Sequence, residues 1–341
     1  MTGTVVERLH REATVVDLHV HTPDFIPQPF RRVYHAVSPR RPRDTGFDVL
    51  GPAGVDVAVA TAVGDPIVTR WYLGRSPWQA VEAQLALIER QAARHHATVV
   101  RGHAEIERAR AASSPAILLG VEGADALAQD VDRVDAWYER GVRLVVLVHL
   151  ADNQLGTTCL PWQQYAGPLP VRRASAPGLS PLGRAVVRRM DDRGMVVDLA
   201  HADGRTLRDV VDVATAPVVS SHTGARAVQD FARYLDDEEL RIIAATGGVI
   251  GLWPYRAARR GVRTIEDLMA HARHVASVVG PEHLCLGTDM NGVPGVMAGY
   301  GGEGDVPLLT AALLETGFSA PEVRGIVGEN ALRVVRMVAP S

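Results

Sequence analysis

One aspartate and two histidines alternate with apolar residues in the short stretch Asp17-Leu18-His19-Val20-His21, which follows an apolar run at residues 14–16. Successive side chains of a β-strand point to opposite faces, so Asp17, His19 and His21 share one face. The two imidazoles on this face converge on one point, and neutral imidazole is a common zinc ligand. A lone His-x-His pair often arises by chance in a polar strand, so the rest of the chain decides whether this pair binds metal.

Further histidines and carboxylates follow other apolar runs, each at the point where the run ends. The runs end at Glu122, His149, His201, His222 and Asp289. In a barrel the carboxyl ends of the strands form one face, where barrel enzymes place their chemistry. Together with the first strand, these positions bring five of the thirteen histidines to one predicted face. The set predicts a metal site.

Each of these residues also has an ordinary structural explanation. His201 could be a hydrogen-bonded core histidine, Glu122 could cap a helix or form a salt bridge, and Asp289 could form a turn. Five histidines and two carboxylates at strand ends are harder to explain in this way than any one of them. Other histidines, such as His271, fall on predicted helices, where we expect solvated surface positions.

The elements that would position these residues alternate between strands and helices. Eight apolar segments are predicted as strands, at residues 14–21, 55–63, 116–121, 142–148, 194–200, 217–221, 248–253 and 283–288. Helical spacing of apolar residues predicts helices at 77–96, 131–140, 181–193 and 204–214. Such an alternation over about eight strands predicts an α/β protein with a single (β/α)8 TIM barrel over residues 1–341, rather than two domains.

The segment 23–54 interrupts this alternation. It carries five prolines between Pro23 and Pro42, and a cluster of arginines at 31–43. The segment is too rich in proline for a helix and too long for an ordinary connection, so it is either a lid or a flexible insertion. We favour a lid, because the segment leaves directly from the His-x-His pair.

Composition limits the chemistry. All 36 basic residues are arginine, which excludes mechanisms that need a lysine amine, including Schiff-base chemistry and a metal bridge made of carboxylated lysine. A ligand that bridges two metals would have to be aspartate or glutamate. Cys159 and Cys285 are the only cysteines and indicate neither a disulfide framework nor a cysteine-based zinc site. The net charge of -3 suggests no nucleic-acid or membrane partner, so a small-molecule substrate is expected.

The chain ends carry no targeting pattern. Residues 1–12 lack the apolar core of a signal peptide, and residues 338–341 offer no anchor tail. A reducing compartment suits the low cysteine content. We therefore expect a soluble, cytoplasmic protein.

The chain carries several short motifs, most of them at the predicted strand ends. They are Asp17-x-His19, Gly120-Val-Glu122-Gly, His149, Val197-Asp-Leu-Ala-His201, Ser221-His222-Thr, Gly287-Thr-Asp289-x-Asn291-Gly292 and Gly328-Glu-Asn330. Two further stretches are Gly178-Leu-Ser-Pro-Leu-Gly183 and Arg233-Tyr234-Leu-Asp-Asp. In this order, and over nearly the whole chain, the motifs resemble those of the renal (membrane) dipeptidase family of the amidohydrolase superfamily.

The resemblance implies a zinc-dependent hydrolase with two metal ions per chain. His19 and His21 would hold one ion. His201 and His222 would hold the other, and Glu122 would bridge the two. A carboxylate bridge agrees with the absence of lysine. A hydroxide between the two metals would then attack a polarised carbonyl at neutral pH.

The resemblance also implies roles around the metals. Asp289 would take a proton from the hydroxide and pass it to the leaving amine, and His149 would stabilise the oxyanion. Arg233 would pair with the carboxylate of the substrate, and Asp17 would orient a metal ligand from behind. The family further implies a homodimer, and a substrate that is a dipeptide or a small amide next to a free carboxylate.

Position 21 departs from the family pattern, which has aspartate where this chain has histidine. A neutral imidazole makes the site more positive and softer, which bears on metal identity, metal occupancy and dipeptidase activity. Asp24 is close enough in sequence to be a substitute ligand. Two alternatives to a dipeptidase follow: a relative that acts on another small substrate, as an amide or lactone hydrolase or a decarboxylase, and a non-catalytic barrel.

Overall fold

A computed structural model describes residues 2–28, 30–38, 45–166, 177–257 and 260–340 of the chain. Eight parallel strands close into a barrel, and they are numbered here in chain order. They are β1 Val16–Val20, β2 Val57–Val63, β3 Ala116–Glu122, β4 Val142–Val146, β5 Val196–Asp198, β6 Val219–Thr223, β7 Val249–Leu252 and β8 Leu284–Leu286. The predicted (β/α)8 barrel and its eight strands are confirmed.

Each barrel strand pairs in parallel with the next, and β1 closes the barrel against β8 through Asp17 and Leu286. The strands are buried along their whole length, as expected for a parallel sheet that is covered on both faces. The first half of β3 pairs with a short extra strand, Thr98–Val100, and its second half pairs with β4. The extra strand therefore lies beside the barrel without interrupting its closure.

Helices connect the strands, including the four that apolar spacing predicts. These four are Pro77–Arg94, Arg133–Arg140, Pro181–Arg193 and Gly204–Val211. The others described are Thr2–Glu12, Phe30–Val37, Pro66–Thr69, His103–Ala111, Trp162–Ala166, Asp237–Ala245, Ile265–Val279, Val306–Glu315, Ala320–Arg324 and Asn330–Val338. In the described part of the chain, no helix has both the length and the apolar composition needed to cross a bilayer.

Shorter elements complete the described chain. They are the single turns Phe47–Val49, Ala124–Leu127, Pro281–His283, Glu303–Asp305 and Gly325–Glu329, and the two-stranded ribbon Arg256–Ala257 with Arg260–Gly261.

The segment 23–54 contains the helix Phe30–Val37, so the prediction that it is too rich in proline for a helix is wrong. Residues 30–38 include no proline, and the helix fits between the prolines rather than containing one. The hydroxyl of Tyr34 donates to the carbonyl oxygen of Gly292 at 2.9 Å, which joins this helix to the loop after β8. Residues 39–44 of the predicted lid lie outside the described residues.

The prediction that His271 is a solvated surface residue is also wrong. The residue is buried on the inner face of the helix Ile265–Val279, and its Nδ1 accepts a hydrogen bond from the Ala225 amide at 2.9 Å. Burial lowers the pKa of His271 to about 4, so the ring is neutral and can accept this bond. The prediction that His271 lies on a helix is correct, but the residue is on the buried face of that helix and not on the solvated face.

Candidate metal centre

Five imidazoles converge on the carboxylate of Glu122 at the carboxyl ends of the strands. The Nε2 atoms that lie 3.2 to 3.6 Å from its Oε1 belong to His201, His19 and His222. The Nε2 atoms of His21 and His149 each lie 3.4 Å from its Oε2. All six residues are at most 9% exposed, so water screens these charges little. The structure thus brings together the predicted metal ligands.

The four histidines of the predicted metal set form two close pairs around the Glu122 carboxylate. The Nε2 atoms of His19 and His21 are 3.3 Å apart, and those of His201 and His222 are 3.1 Å apart. Two nitrogens that bind the same tetrahedral zinc ion, each at about 2.0–2.1 Å, lie about 3.3 Å from each other. Both pairs therefore have the spacing that a shared ion requires.

Glu122 Oε1 supports the same conclusion, because it is buried and has no hydrogen-bond donor among the described residues. An unsatisfied buried carboxylate oxygen is costly, and a cation would satisfy it. Three groups of donor atoms are close enough together to hold an ion: His19–Glu122–His222, His19–His21–Asp289 and Glu122–His149–His201. Imidazole and carboxylate donors suit zinc and similar divalent metals, so the site fits a metal centre.

Contacts behind the rings set which nitrogen faces the centre. The Nδ1 of His21 donates to the carbonyl oxygen of Thr61 at 2.9 Å. The hydroxyl of Ser221 lies 2.9 Å from His222 Nδ1 and 3.4 Å from His19 Nδ1. At His21 the donating Nδ1 leaves the lone pair of Nε2 available to a metal, whereas His201 Nδ1 has no hydrogen-bond partner among the described residues. None of these supporting contacts was part of the sequence prediction.

Burial and charge together set the protonation of the centre. Burial raises the pKa of Glu122, but the positive charges of His149 and His19 outweigh it and hold that pKa well below its usual range. Burial, with the positive charge of Arg233 adding to it, holds the pKa of His201 well below its usual range, which leaves the ring neutral. Burial lowers the pKa of His21, but hydrogen bonds to Asp289 and Glu122 outweigh it and raise that pKa to about 10.

Asp17 contacts the backbone of the site rather than an imidazole ring. Its carboxylate accepts hydrogen bonds from the Thr288 hydroxyl at 2.5 Å, the Thr288 amide at 3.0 Å and the His19 amide at 3.1 Å. The Asp289 amide in turn donates to the carbonyl oxygen of His19 at 2.8 Å. Asp17 therefore fixes the main chain where β1 meets the end of β8, next to His19 and Asp289.

Two site residues leave their strands in a left-handed backbone conformation. The φ angles are 72° at His201 and 54° at Asp289, a region that residues other than glycine seldom occupy. The turn at Asp289 brings its Oδ1 to 3.4 Å from His21 Nε2. Such backbone strain is common at functional sites, where the surrounding structure enforces it.

Asp65 is a site residue that sequence reasoning missed. One of its carboxylate oxygens caps the helix Pro66–Thr69, accepting from the amides of Ile67 and Val68 at 2.6 and 3.1 Å. The other oxygen contacts His149 Nδ1 in a short hydrogen bond. Burial lowers the pKa of His149, but Glu122 and Asp65 outweigh burial and raise it. Asp65 follows the end of β2 just as the other site residues follow their strands, and this position was the available signal.

Arg233 and Asp24 lie apart from the cavity that opens onto the centre. Arg233 is buried, donates to the His222 carbonyl oxygen at 3.2 Å and lies 4.8 Å from the ring centroid of Trp253. Trp253 lines the cavity, whereas Arg233 does not. Asp24 pairs with Arg31 and belongs to none of the candidate metal groups among the described residues. It is therefore not placed to substitute for the aspartate missing at position 21.

The closed parallel barrel is a (β/α)8 fold, and its carboxyl edge carries histidine and carboxylate donors that could hold metal. Residues 4–340 match the family model of membrane dipeptidase, peptidase family M19. The chain belongs to this family, which confirms the resemblance seen in its motifs.

Curated relatives include fungal dipeptidases. The chain is 33% identical over 226 residues to dipeptidase tcpJ of Claviceps purpurea, a match that covers 65% of this chain and 51% of that protein. It is 30% identical over 265 residues to dipeptidase verJ of Clonostachys rogersoniana, covering 77% of this chain and 65% of that protein. The aligned region thus spans between half and two thirds of the length of these relatives.

Solved structures share the fold. The probable dipeptidase PvdM from Pseudomonas aeruginosa superimposes with a TM-score of 0.84 at 19% identity, covering 99% of this chain and 98% of that one. A metallo peptidase from Rhodobacter sphaeroides, solved with a phosphinate mimic of the dipeptide L-Ala-D-Ala, gives 0.76 at 21% identity, covering 96% and 99%. At these identities the similarity shows the fold alone.

Proposed function

We propose that this protein is a metal-dependent hydrolase that cleaves a dipeptide, or a small amide next to a free carboxylate. The observation that carries the proposal is the convergence of four histidines, in two close pairs, on one buried carboxylate, Glu122. Membership of the membrane dipeptidase family supports the same function. Two curated relatives are named dipeptidases, and a structural neighbour was solved with a dipeptide mimic.

The two pairs would each hold one divalent ion, which we propose is zinc. His19 and His21 would bind the first ion. His201 and His222 would bind the second, and Glu122 would bridge both. When bound, the ions would supply Lewis acidity and lower the pKa of water towards neutrality.

Side chains around the ions would carry the proton and orient the substrate. Asp289, beside His21, would accept a proton from the attacking water and pass it to the leaving amine. His149, held by Asp65, would donate from Nε2 to the carbonyl oxygen as negative charge develops on it. Asp17 would keep the main chain at His19 and Asp289 in place.

Arg233 would pair with the free carboxylate of the substrate. Arg233 does not line the cavity, whereas the neighbouring Trp253 does, so this pairing would require side chains of the cavity wall to move. We also propose a cytoplasmic homodimer, and light scattering on the purified protein would give the oligomeric state.

A screen of dipeptides of both stereochemistries, with metal analysis of the same protein, tests the proposal. Wild type should bind metal and hydrolyse at least one dipeptide. Glu122→Gln should lose both metal and activity, because a neutral amide is a poor bridge between cations. Asp289→Asn, the matched control, should keep its metal while kcat falls about 100-fold, as expected when a proton carrier is lost. Full metal content and the wild-type rate in Glu122→Gln would contradict the proposal.

The same screen separates the alternatives. A relative with another small substrate would bind metal and leave every dipeptide intact. A non-catalytic barrel would lack the bound metal, and it would neither hydrolyse amides or lactones nor decarboxylate a carboxylate substrate. The family match favours the dipeptidase.

A further inference from the structure

One wall of the cavity is an apolar recess beside His21. The recess is formed by Phe25, Ile26, Val63, Val68 and Trp71. The Phe25 ring stacks on the His21 imidazole, with 4.8 Å between centroids and 28° between planes. Because His21 Nε2 faces Glu122 and Asp289, the recess begins one ring away from the candidate metal centre.

The recess is held in place by contacts between two segments of the chain. The Tyr72 hydroxyl donates to the Phe25 carbonyl oxygen at 2.6 Å, and the Trp71 ring stacks on Phe30 with 6.1 Å between centroids. Phe25, Ile26 and Val68 are at most 7% exposed. The wall is therefore preformed, as ligand pockets usually are, and does not depend on a substrate to assemble it.

No charged side chain of the described residues lines this recess. The charged and titratable groups that do reach the cavity belong mainly to the metal centre, and the hydroxyl of Tyr34 is engaged by the Gly292 carbonyl oxygen. Asp24 and Arg31, the charged residues nearest to Phe25 and Ile26 in sequence, pair with each other outside the cavity, and Arg70, next to Trp71, is exposed and does not line it. A charged substrate group would lose its water here without gaining a partner, whereas an apolar group gains by burial.

We propose that this recess selects substrates with a bulky apolar side chain, of aromatic size, on the residue that enters the His21 side of the centre. The whole cavity, of which the recess is one wall, has a volume of about 220 Å³, and an apolar cavity of about 150 Å³ holds benzene, so the cavity is large enough to admit one aromatic side chain. The inference rests on the proposed hydrolase function and names its substrate class. Burial of an aromatic side chain in place of a methyl group should favour such substrates by about 10- to 100-fold in kcat/KM.

The test compares Ala-Ala with Phe-Ala and Ala-Phe, each in both stereochemistries, on the metal-loaded enzyme. We expect a phenylalanine dipeptide to be preferred over Ala-Ala at one of the two positions. Val68→Phe fills the recess and should lower that preference about tenfold or more. Trp71→Ala opens one side of the recess and should also lower it. Leu73→Ala is the matched control, because Leu73 lies in the same stretch, is 75% exposed and does not line the cavity.

Calorimetry with free phenylalanine and free alanine makes the inference independent of turnover. Phenylalanine should bind wild type and the Leu73→Ala variant at least about tenfold more tightly than alanine, and Val68→Phe should lose this difference. If dipeptides are hydrolysed but neither the rates nor the affinities depend on side-chain size, the recess inference is wrong and the proposed function stands. If phenylalanine is preferred in binding but no dipeptide is hydrolysed, the recess inference stands and the proposed function is wrong. Equal affinities without hydrolysis would overturn both.

Discussion

Asp65 links the geometry of a helix to that of the active site through a single carboxylate. One oxygen caps Pro66–Thr69 and the other holds His149, whose Nε2 faces Glu122. A ring fixed at Nδ1 can present Nε2 to a carbonyl oxygen without first losing rotational freedom. The position of His149 therefore depends on a residue that does not face the substrate.

Replacing Asp65 should affect turnover more than metal binding. Asparagine can still cap the helix and accept from Nδ1, so Asp65→Asn should lower kcat by only about tenfold, or 1.4 kcal/mol. Asp65→Ala loses both contacts and should lower kcat by about 100-fold, with about 1 kcal/mol less stability from the missing cap. Steady-state kinetics, metal analysis and thermal melts would measure these effects. A drop in melting temperature with kcat unchanged would show that Asp65 only stabilises the helix.

His21 marks where the chain departs from its family, and its geometry shows how an imidazole meets the same requirement. Its Nδ1 bonds to the Thr61 carbonyl oxygen, while Nε2 lies 3.3 Å from His19 Nε2 and 3.4 Å from Asp289 Oδ1. The ring therefore presents one lone pair to the metal position, as a carboxylate oxygen would. The expected difference is one unit of negative charge at the metal.

Two variants at position 21 test whether His21 binds metal or only fills the space beside Phe25. His21→Asp should keep the metals and change kcat/KM on dipeptides by no more than about tenfold, or 1.4 kcal/mol. His21→Leu keeps an apolar contact with Phe25 but offers no donor, and should lose about half of the bound metal. Metal analysis by mass spectrometry, with kinetics on the same samples, would measure both. Undiminished metal in His21→Leu would remove His21 from the ligand set.

At the scale of elements, the described residues of the segment 23–54 approach the site, and none of them belongs to a candidate metal group. The helix Phe30–Val37 contacts the loop after β8 through Tyr34, and Thr45 donates to the Asn291 side chain at 3.0 Å. The segment thus contacts the chain near two strand ends, β1 and β8, that carry site residues. We propose that it acts as a lid.

The lid proposal is tested by deletion of residues 28–43. The pairing of β1 with β2 and with β8 involves none of these residues, so the barrel should fold and still bind metal. KM should rise because the cavity loses part of its cover, and circular dichroism, metal analysis and kinetics would show each effect. Tyr34→Phe, which removes one hydrogen bond worth about 1 kcal/mol, should shift KM in the same direction by a smaller amount. A deletion variant that fails to fold would show that the segment belongs to the core.

The strands were predictable because each is an apolar run, and six of the eight lead into a residue of the predicted site. The helix Phe30–Val37 was not predicted, because the proline content of the whole segment concealed a stretch without proline. Asp65 was missed because an aspartate before proline also suits an ordinary turn or cap. The support of His21 by Thr61 could not be predicted, because a backbone carbonyl leaves no pattern in the sequence. The fold was therefore more predictable than the contacts that orient its ligands.

Across the whole molecule, the centre exists only when the barrel closes. Its residues come from both ends of the chain, and the amide of Asp289 bonds to the carbonyl oxygen of His19, far away in sequence. A close backbone contact helps this closure: a Cβ at Gly251 would overlap the Ser221 carbonyl oxygen. Because the unfolded chain has no such site, bound metal should stabilise the folded state.

A metal titration tests the central claim most directly. Protein stripped of metal by a chelator would be reloaded stepwise with zinc, and bound metal, melting temperature and dipeptide hydrolysis would be measured on the same samples. Two ions per chain should bind, the melting temperature should rise and hydrolysis should appear as the sites fill, while Glu122→Gln should show none of these changes. Full hydrolysis by the metal-free protein, or two tightly bound ions in Glu122→Gln, would contradict a hydrolytic metal centre built on Glu122.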